Sequence, residues 1–233
     1  MMLRKKAYLI GLLLCLSVPV LAAMSADSLI RIPRYQALFG KKPLNKKDQE
    51  EVTQIITSVD QSFPNRAEGV KFLSERAWEY VSEGKLDTAT YRFNLVHALD
   101  STSVEAYWGL GVIAFQRLDF PGAIELLGKG LQINPKLSIM RVDYAIVKLS
   151  CYLKGMDCGN LEEVDALLSQ ALQEDPTNAN AWMKKSQVAF LQEKYELAWS
   201  YFHECRALDL TQLDLNFSQQ LMEKMPDPKG IFK

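Results

Sequence analysis

The side chains that most often carry enzyme or metal chemistry are few in this chain. Among 233 residues there are two histidines and four cysteines. The run His203-Glu204-Cys205 combines three residue types that can bind a metal or act in nucleophilic catalysis. Adjacent residues on one helix point about 100° apart, so these three side chains cannot converge on one ion. We interpret His203 as an exposed helix residue and predict no metal site.

The short motifs that identify common catalytic centres are also missing. The sequence contains no HExxH, no GxSxG, no CxxC and no glycine-rich loop of the kind that binds phosphate. We therefore predict that the protein is not an enzyme and needs no cofactor.

Two of the cysteines are near neighbours in sequence. Cys151 and Cys158 have six residues between them. In an exported protein they can form a disulfide, whose short loop limits the stabilisation to about 2.5 kcal/mol. Two free thiols are the alternative. Cys205 is interpreted as a buried, unpaired thiol.

A repeated unit of 34 residues must position all of these side chains. The residues that recur at this interval are apolar or small. In the first half of the chain they are Leu86, Ala89 and Phe93, followed 34 positions later by Phe120, Ala123 and Leu127; in the second half they are Leu161, Val164 and Leu168, followed by Tyr195, Ala198 and Phe202. A fixed period of this size indicates stacked repeats rather than one globular core.

The copy at residues 104–137 carries a recognisable pattern. Tyr107, Leu110, Gly111, Ala123 and Pro135 resemble the W-L-G…A…P pattern of the tetratricopeptide repeat, a helix-turn-helix unit of 34 residues. The resemblance implies an all-α, right-handed α-solenoid of four helix pairs with a capping helix at each end. Each pair would bury the apolar face of its neighbour. Gly111 is expected to face Ala123 where two paired helices touch.

The repeat boundaries divide the chain. We predict a signal peptide at 1–22, an extended tether at 23–45, a repeat domain at 46–225 and a flexible tail at 226–233. Within the repeat domain we predict a capping helix at 46–62, repeats at 70–103, 104–137, 138–178 and 179–212, and a capping helix at 213–225. The third repeat is longer than the others, and its surplus residues are expected between Ala145 and Leu161.

The first residues are typical of a secretory signal peptide. Arg4, Lys5 and Lys6 precede an uncharged apolar run that ends in small residues near Ala22. An uncleaved anchor is the alternative, although the run is shorter than the ~20 residues that span a bilayer. Removing residues 1–22 changes the formal net charge from −1 to −4. This acidity predicts no nucleic-acid partner, and we expect no membrane span in the mature chain.

The resemblance also implies where the chain binds its partners. In the resembled family the first helix of each pair lines a concave groove. The positions of this sequence that would form the groove are Trp78, Trp108, Val112, Phe115, Val142, Ile146, Met183 and Gln187. The Lys/Asn/Arg set with which some family members hold a peptide's terminal carboxylates is not matched. The alternative is that the chain covers this surface itself, with residues 24–45 or the final helix.

These features predict a non-catalytic protein-protein interaction module. The stretch Gly84–Ala89 resembles those of exported bacterial repeat proteins, which implies a periplasmic location. The expected partner is an extended peptide or helix of an envelope or secretion-complex protein. The alternative function is a periplasmic carrier of an apolar small molecule.

Overall fold

The computed structural model describes residues 32–233, so the predicted signal peptide lies outside the described residues. The regular structure of this part is helical throughout. Its ten α-helices are α1 Lys46–Ser62, α2 Arg66–Ser82, α3 Leu86–Leu99, α4 Val104–Gln116, α5 Phe120–Ile133, α6 Ser138–Leu153, α7 Leu161–Glu174, α8 Ala179–Leu191, α9 Tyr195–Leu208 and α10 Leu215–Lys224. Within residues 32–233, no helix has the length and apolar character needed to cross a membrane.

Side-chain caps set where many of these helices begin. In each case an Asn or Asp side chain accepts a hydrogen bond from a backbone N–H in the first turn. The capping residues are Asn45, Asn65, Asp119, Asn160, Asn178 and Asp214. Such a cap satisfies a donor that the helix itself leaves unpaired and stabilises the helix by about 1 kcal/mol.

Helices α2 to α9 form four consecutive pairs, each of which also packs on the next. The first helices of successive pairs contact one another directly, α2 with α4, α4 with α6 and α6 with α8. The second helices approach each other less closely. The stack is therefore curved, and the first helices form its concave face.

Large apolar side chains at one repeated position fill the space between pairs. Phe93, Leu127, Leu168 and Phe202 are all fully buried. The close approach expected at Gly111 also exists, and the atoms nearest to it belong to Leu127. A Cβ at Gly111 would lie 2.7 Å from Leu127 Cγ, which is closer than real Cβ atoms pack. Glycine at this position is therefore required by the packing of α4 on α5.

The N-terminal segment differs from the predicted extended tether. Residues 33–41 form a short 3-10 helix, Pro33–Tyr35, and a tight coil at Ala37–Lys41 whose backbone is left-handed at Leu38, Phe39 and Gly40; both pack against α3. The Asn94 side chain of α3 donates hydrogen bonds to the backbone oxygens of Arg34 and Gln36, at 3.1 and 2.8 Å. Arg34 in turn pairs with Asp48 of α1 at 2.7 Å. The segment is held in place because buried polar groups of the helices bind its backbone.

The C-terminal residues correct two predictions, a flexible tail at 226–233 and an exposed His203. Asp227 is buried and accepts hydrogen bonds from the backbone N–H groups of Lys229, Ile231 and Phe232. Its carboxylate also lies 2.8 Å from His203 Nε2 on α9. The Phe232 ring packs edge-on against Phe202, with centroids 5.3 Å apart. The tail is ordered because it covers apolar rings that the last repeat leaves without a neighbour.

Candidate functional site on the concave face

Two tryptophans from successive repeats meet on the concave face. Trp78 of α2 and Trp108 of α4 have ring centroids 5.0 Å apart and an interplanar angle of 66°. Trp78 Nε1 donates to Glu105 Oε2 at 2.8 Å, and Trp108 Nε1 donates to Asp143 Oδ2 at 2.6 Å. Each indole is therefore hydrogen-bonded to a carboxylate on the next first helix. Bonds to carboxylates are among the stronger hydrogen bonds, so both rings are held in fixed orientations.

An open cavity of about 600 Å³ lies beside the two rings. Its lining comes from one face of α2 and the start of α4. The lining residues are Ala67, Val70, Lys71, Ser74, Glu75, Trp78, Glu105 and Trp108. A second open cavity of about 530 Å³ follows along the same face, at α6 and the start of α8. Asp143 lines this second cavity and holds Trp108 of the first, so the two cavities are neighbours.

Carboxylates dominate the charged groups of both cavities. The first contains Lys71, Glu75 and Glu105, and the second contains Asp143 and Asp209. Lys71 lies 3.8 Å from Glu75 on its own helix. Among residues 32–233, no ion pair joins Glu105 or Asp143 to a cation. The face therefore carries negative charge that the described part of the chain does not neutralise.

Burial affects the acidity of Asp143. It raises the pKa of this carboxyl, and the hydrogen bond from the Trp108 indole opposes that rise without cancelling it. Asp209 is in the opposite situation, because hydrogen bonds from Thr211 lower the pKa of its carboxylate. Burying a carboxylate without a cation costs free energy. A positively charged group that binds beside Asp143 would therefore be stabilised there.

The structure divides the predicted groove residues into four groups. Trp78 and Trp108 lie at the first cavity, and Val112, Phe115 and Ile146 are half-buried on the first helices. Gln187 lies at the far end of the face, beside a smaller cavity of about 190 Å³. Val142 and Met183 were predicted as groove residues, but their side chains are only 1% and 2% exposed. Val142 still borders the second cavity, whereas Met183 lies in the core. Their side chains pack against neighbouring helices: Val142 belongs to the cluster around α7, and Met183 to the cluster around α9.

Asp143 is the functional candidate that the sequence did not identify. It follows Val142 and is the single acidic residue on the apolar helix α6. Its position 35 residues after Trp108 is close to the repeat length, and this spacing was the available signal. Without the superhelical geometry, however, the sequence does not show that an indole of one repeat reaches a carboxylate of the next.

The described part of the chain does not cover the tryptophan pair. Residues 35–37 line a separate cavity on the other side of α4, next to Leu110, Ile113 and Arg117. The final helix borders the face only at its far end, where Asp214, Phe217 and Gln220 lie near Gln187. The sequence left open that residues 24–45 or the final helix cover the groove. In the structure, neither the described N-terminal residues nor α10 lines the cavity at Trp78 and Trp108.

The insertion in the third repeat contains the cysteine pair. Cys151 and Cys158 are joined in a disulfide, with their Cα atoms 5.8 Å apart, a usual separation for such a bond. The bond fixes the loop that follows α6, and Leu153 at the end of α6 and Met156 in the loop are exposed. Cys205 is buried and free. Burial raises the pKa of its thiol to about 11, so the thiol is protonated and unreactive at neutral pH.

The described residues form no candidate metal site. Across the described range 32–233, no three His, Cys, Asp or Glu side chains are grouped so that they could hold a metal ion. His97 and His203 both have partners of another kind. His97 Nε2 lies 3.2 Å from the Tyr107 hydroxyl, and His203 is paired with Asp227.

Comparisons with known proteins identify the architecture. No protein-family model and no curated protein matches the chain. Among solved structures, PilF of Pseudomonas aeruginosa aligns with a TM-score of 0.56 at 18% identity, covering 72% of this chain and 79% of that one. MamA from Desulfovibrio magneticus RS-1 aligns with a TM-score of 0.55 at 14% identity, covering 69% and 86% of the two chains.

A third solved structure is described as a tetratricopeptide-repeat protein. It is TTC0263 of Thermus thermophilus, with a TM-score of 0.55 and 16% identity, covering 69% of this chain and 93% of that one. At this identity the likeness concerns the fold alone. Together with the four helix pairs and the 34-residue period, it shows that this chain has the fold of tetratricopeptide-repeat proteins.

Proposed function

We propose that this protein is a non-catalytic interaction module that binds an extended peptide or a helix of another protein on its concave face. The observation that carries the proposal is the Trp78–Trp108 pair beside an open cavity. Large aromatic side chains at the centre of a surface contribute much of the binding energy in protein interfaces. The fold supports the same function, because stacked repeats create extended concave surfaces that suit long ligands.

We further propose that the protein acts in the bacterial periplasm, as an adaptor for an envelope or secretion-complex protein. The charged and apolar pattern of residues 1–22 supports export. The Cys151–Cys158 disulfide is a second supporting observation, since such bonds persist in oxidising compartments. Cell fractionation and amino-terminal sequencing test this location. An intact Met1 on a cytoplasmic protein would refute it.

Site-specific photo-crosslinking in living cells tests the binding surface. A crosslinking amino acid is placed at Ile139, which is 50% exposed beside the second concave cavity. The matched control position is Gln132, which is exposed on the second helix α5. We expect a protein adduct from position 139 that is absent from position 132. If no adduct forms and an apolar compound co-purifies with the protein, the carrier function replaces the adaptor.

A further inference from the structure

We propose that the cavity beside Trp78 and Trp108 receives a lysine or arginine side chain of the bound protein segment. This inference rests on the proposed function, because it names the partner chemistry of the same surface. Three observations carry it: the balance of charge along the concave face, the arrangement of the two indoles, and the position of the one lysine in the lining.

The charge balance favours a cation from outside. The linings of the two concave cavities contain four carboxylates and one lysine. That lysine, Lys71, is 3.8 Å from Glu75, so its charge is already opposed by a neighbour on α2. Glu105 and Asp143 accept hydrogen bonds from neutral indoles and, within residues 32–233, have no cationic partner. A basic side chain would neutralise the negative charge of these two carboxylates, which the uncharged indoles leave in place.

The two indoles suit the same ligand. A cation over the face of a tryptophan is attracted by the negative potential of the ring, most strongly when water is excluded. Both indole N–H groups, the positive edges of the rings, are directed at carboxylates. The cavity therefore offers ring surface and carboxylate oxygen in one place. This combination favours a guanidinium or ammonium group over a neutral side chain.

An acidic ligand is disfavoured by the same residues. A terminal carboxylate is bound most strongly by basic side chains. Lys71 is the one basic residue in the lining, and its side chain is 76% exposed at the rim. An acidic peptide would therefore meet Glu105 with little compensation. A peptide with an uncharged anchor would leave both carboxylates unneutralised.

A random-peptide display library tests the inference. The full-length chain is purified from the cell fraction in which it accumulates and is used to select binding peptides. The same selection is repeated with Trp108→Phe, which keeps a ring but removes the indole N–H, and with Trp108→Ala. A double variant, Glu105→Gln with Asp143→Asn, removes both charges while each amide oxygen can still accept the indole hydrogen bond. Circular dichroism and thermal unfolding establish that each variant is folded.

We expect peptides that depend on the concave face to contain one position enriched in Lys or Arg. The enrichment should disappear with the double charge variant. In a synthetic peptide taken from the selection, replacing the basic residue by norleucine should weaken binding about tenfold. Raising the salt concentration should weaken the wild-type complex more than the complex of the double variant.

The other outcomes separate the two proposals. Peptides that lose binding with Trp108→Ala but show no basic preference would overturn this inference and leave the interaction surface in place. Selected peptides that bind Trp108→Ala and the double variant as well as wild type would overturn both. Selection of acidic peptides on the wild-type protein would show that the ligand charge is opposite to the one proposed.

Discussion

Asp227 shows how one residue can order a chain terminus. Its carboxylate accepts four hydrogen bonds, three from backbone N–H groups of residues 229–232 and one from His203. Both side chains of the His203–Asp227 pair are almost fully buried. The remaining ring nitrogen of His203 has no hydrogen-bond partner, so Asp227 is the residue that satisfies this histidine.

Replacing Asp227 by alanine should lower the free energy of unfolding by about 3 kcal/mol, because removing one partner of a buried pair leaves the other uncompensated. Urea denaturation measures this change. The control is Glu204→Ala, an exposed acidic residue on the same helix α9, which should change stability by less than about 0.5 kcal/mol. Equal effects of the two substitutions would mean that the contacts of the Asp227 carboxylate contribute nothing to stability.

The same carboxylate predicts a pH dependence. Burial raises the pKa of Asp227, but the hydrogen bonds from Phe232, Lys229, His203 and Ile231 outweigh burial and lower it to about 2 from its ordinary value of 3.8. Folding therefore favours the charged form. The resulting stability is complete above pH 3.8 and is lost as the pH falls towards 2.

Denaturation of wild type and of Asp227→Asn at several pH values tests this linkage. The difference in unfolding free energy between the two proteins should be constant near neutral pH and should shrink between about pH 4 and pH 2. A difference that stays constant throughout this range would show that Asp227 does not titrate with a lowered pKa.

At the scale of the helices, the packing of α4 on α5 depends on Gly111. Gly111→Leu should overpack this pair and cost about 1–3 kcal/mol, since Leu127 already fills the space. Gly128→Leu on α5 is the matched control, because the nearest atom to a Cβ there is the Tyr144 hydroxyl at 3.9 Å. Thermal unfolding compares the two variants. If both melt alike, the structure misplaces the contact between these helices.

The loop after α6 allows a second prediction at this scale. The Cys151–Cys158 bond closes a short loop, so its removal by Cys158→Ser should cost about 2.5 kcal/mol in the loop-entropy description. Cys205→Ser serves as the control for loss of a thiol that is not bonded. Peptide mapping without reductant should recover the linked peptide. Alkylation of both Cys151 and Cys158 in the native, unreduced protein would contradict the pairing.

For the whole molecule, the structure predicts that binding and stability depend on different residues of α4. Trp108 is half-buried at the concave face, whereas Gly111 is buried against α5. Trp108→Ala should weaken partner capture by about 2 kcal/mol and destabilise the fold less than Gly111→Leu does. Binding to a selected peptide and urea denaturation measure the two effects. A Trp108→Ala variant that unfolds more readily than Gly111→Leu would assign Trp108 to the core.

Sequence patterns determined most of the architecture. The 34-residue period predicted a stack of repeats, the resemblance to the tetratricopeptide repeat implied that it is all-α, and the structure has this fold. Helix starts can be predicted from sequence because capping is local. The Asn45 side chain, for example, accepts a hydrogen bond from the backbone N–H of Asp48, three residues away. The repeated apolar positions can be predicted for the same reason, since each side chain packs within its own helix pair and against the next pair.

The tertiary structure decided the features that join distant parts of the chain. His203 was predicted to be exposed and is buried, because Asp227 folds back across α9. Val142 and Met183 were predicted in the groove and are almost fully buried, because residues of neighbouring helices pack against them; Val142 still borders the second cavity. The carboxylates that hold Trp78 and Trp108 belong to the following repeats. A repeat pattern specifies each unit and its spacing, but contacts between units depend on the superhelical rotation, which the pattern leaves undetermined.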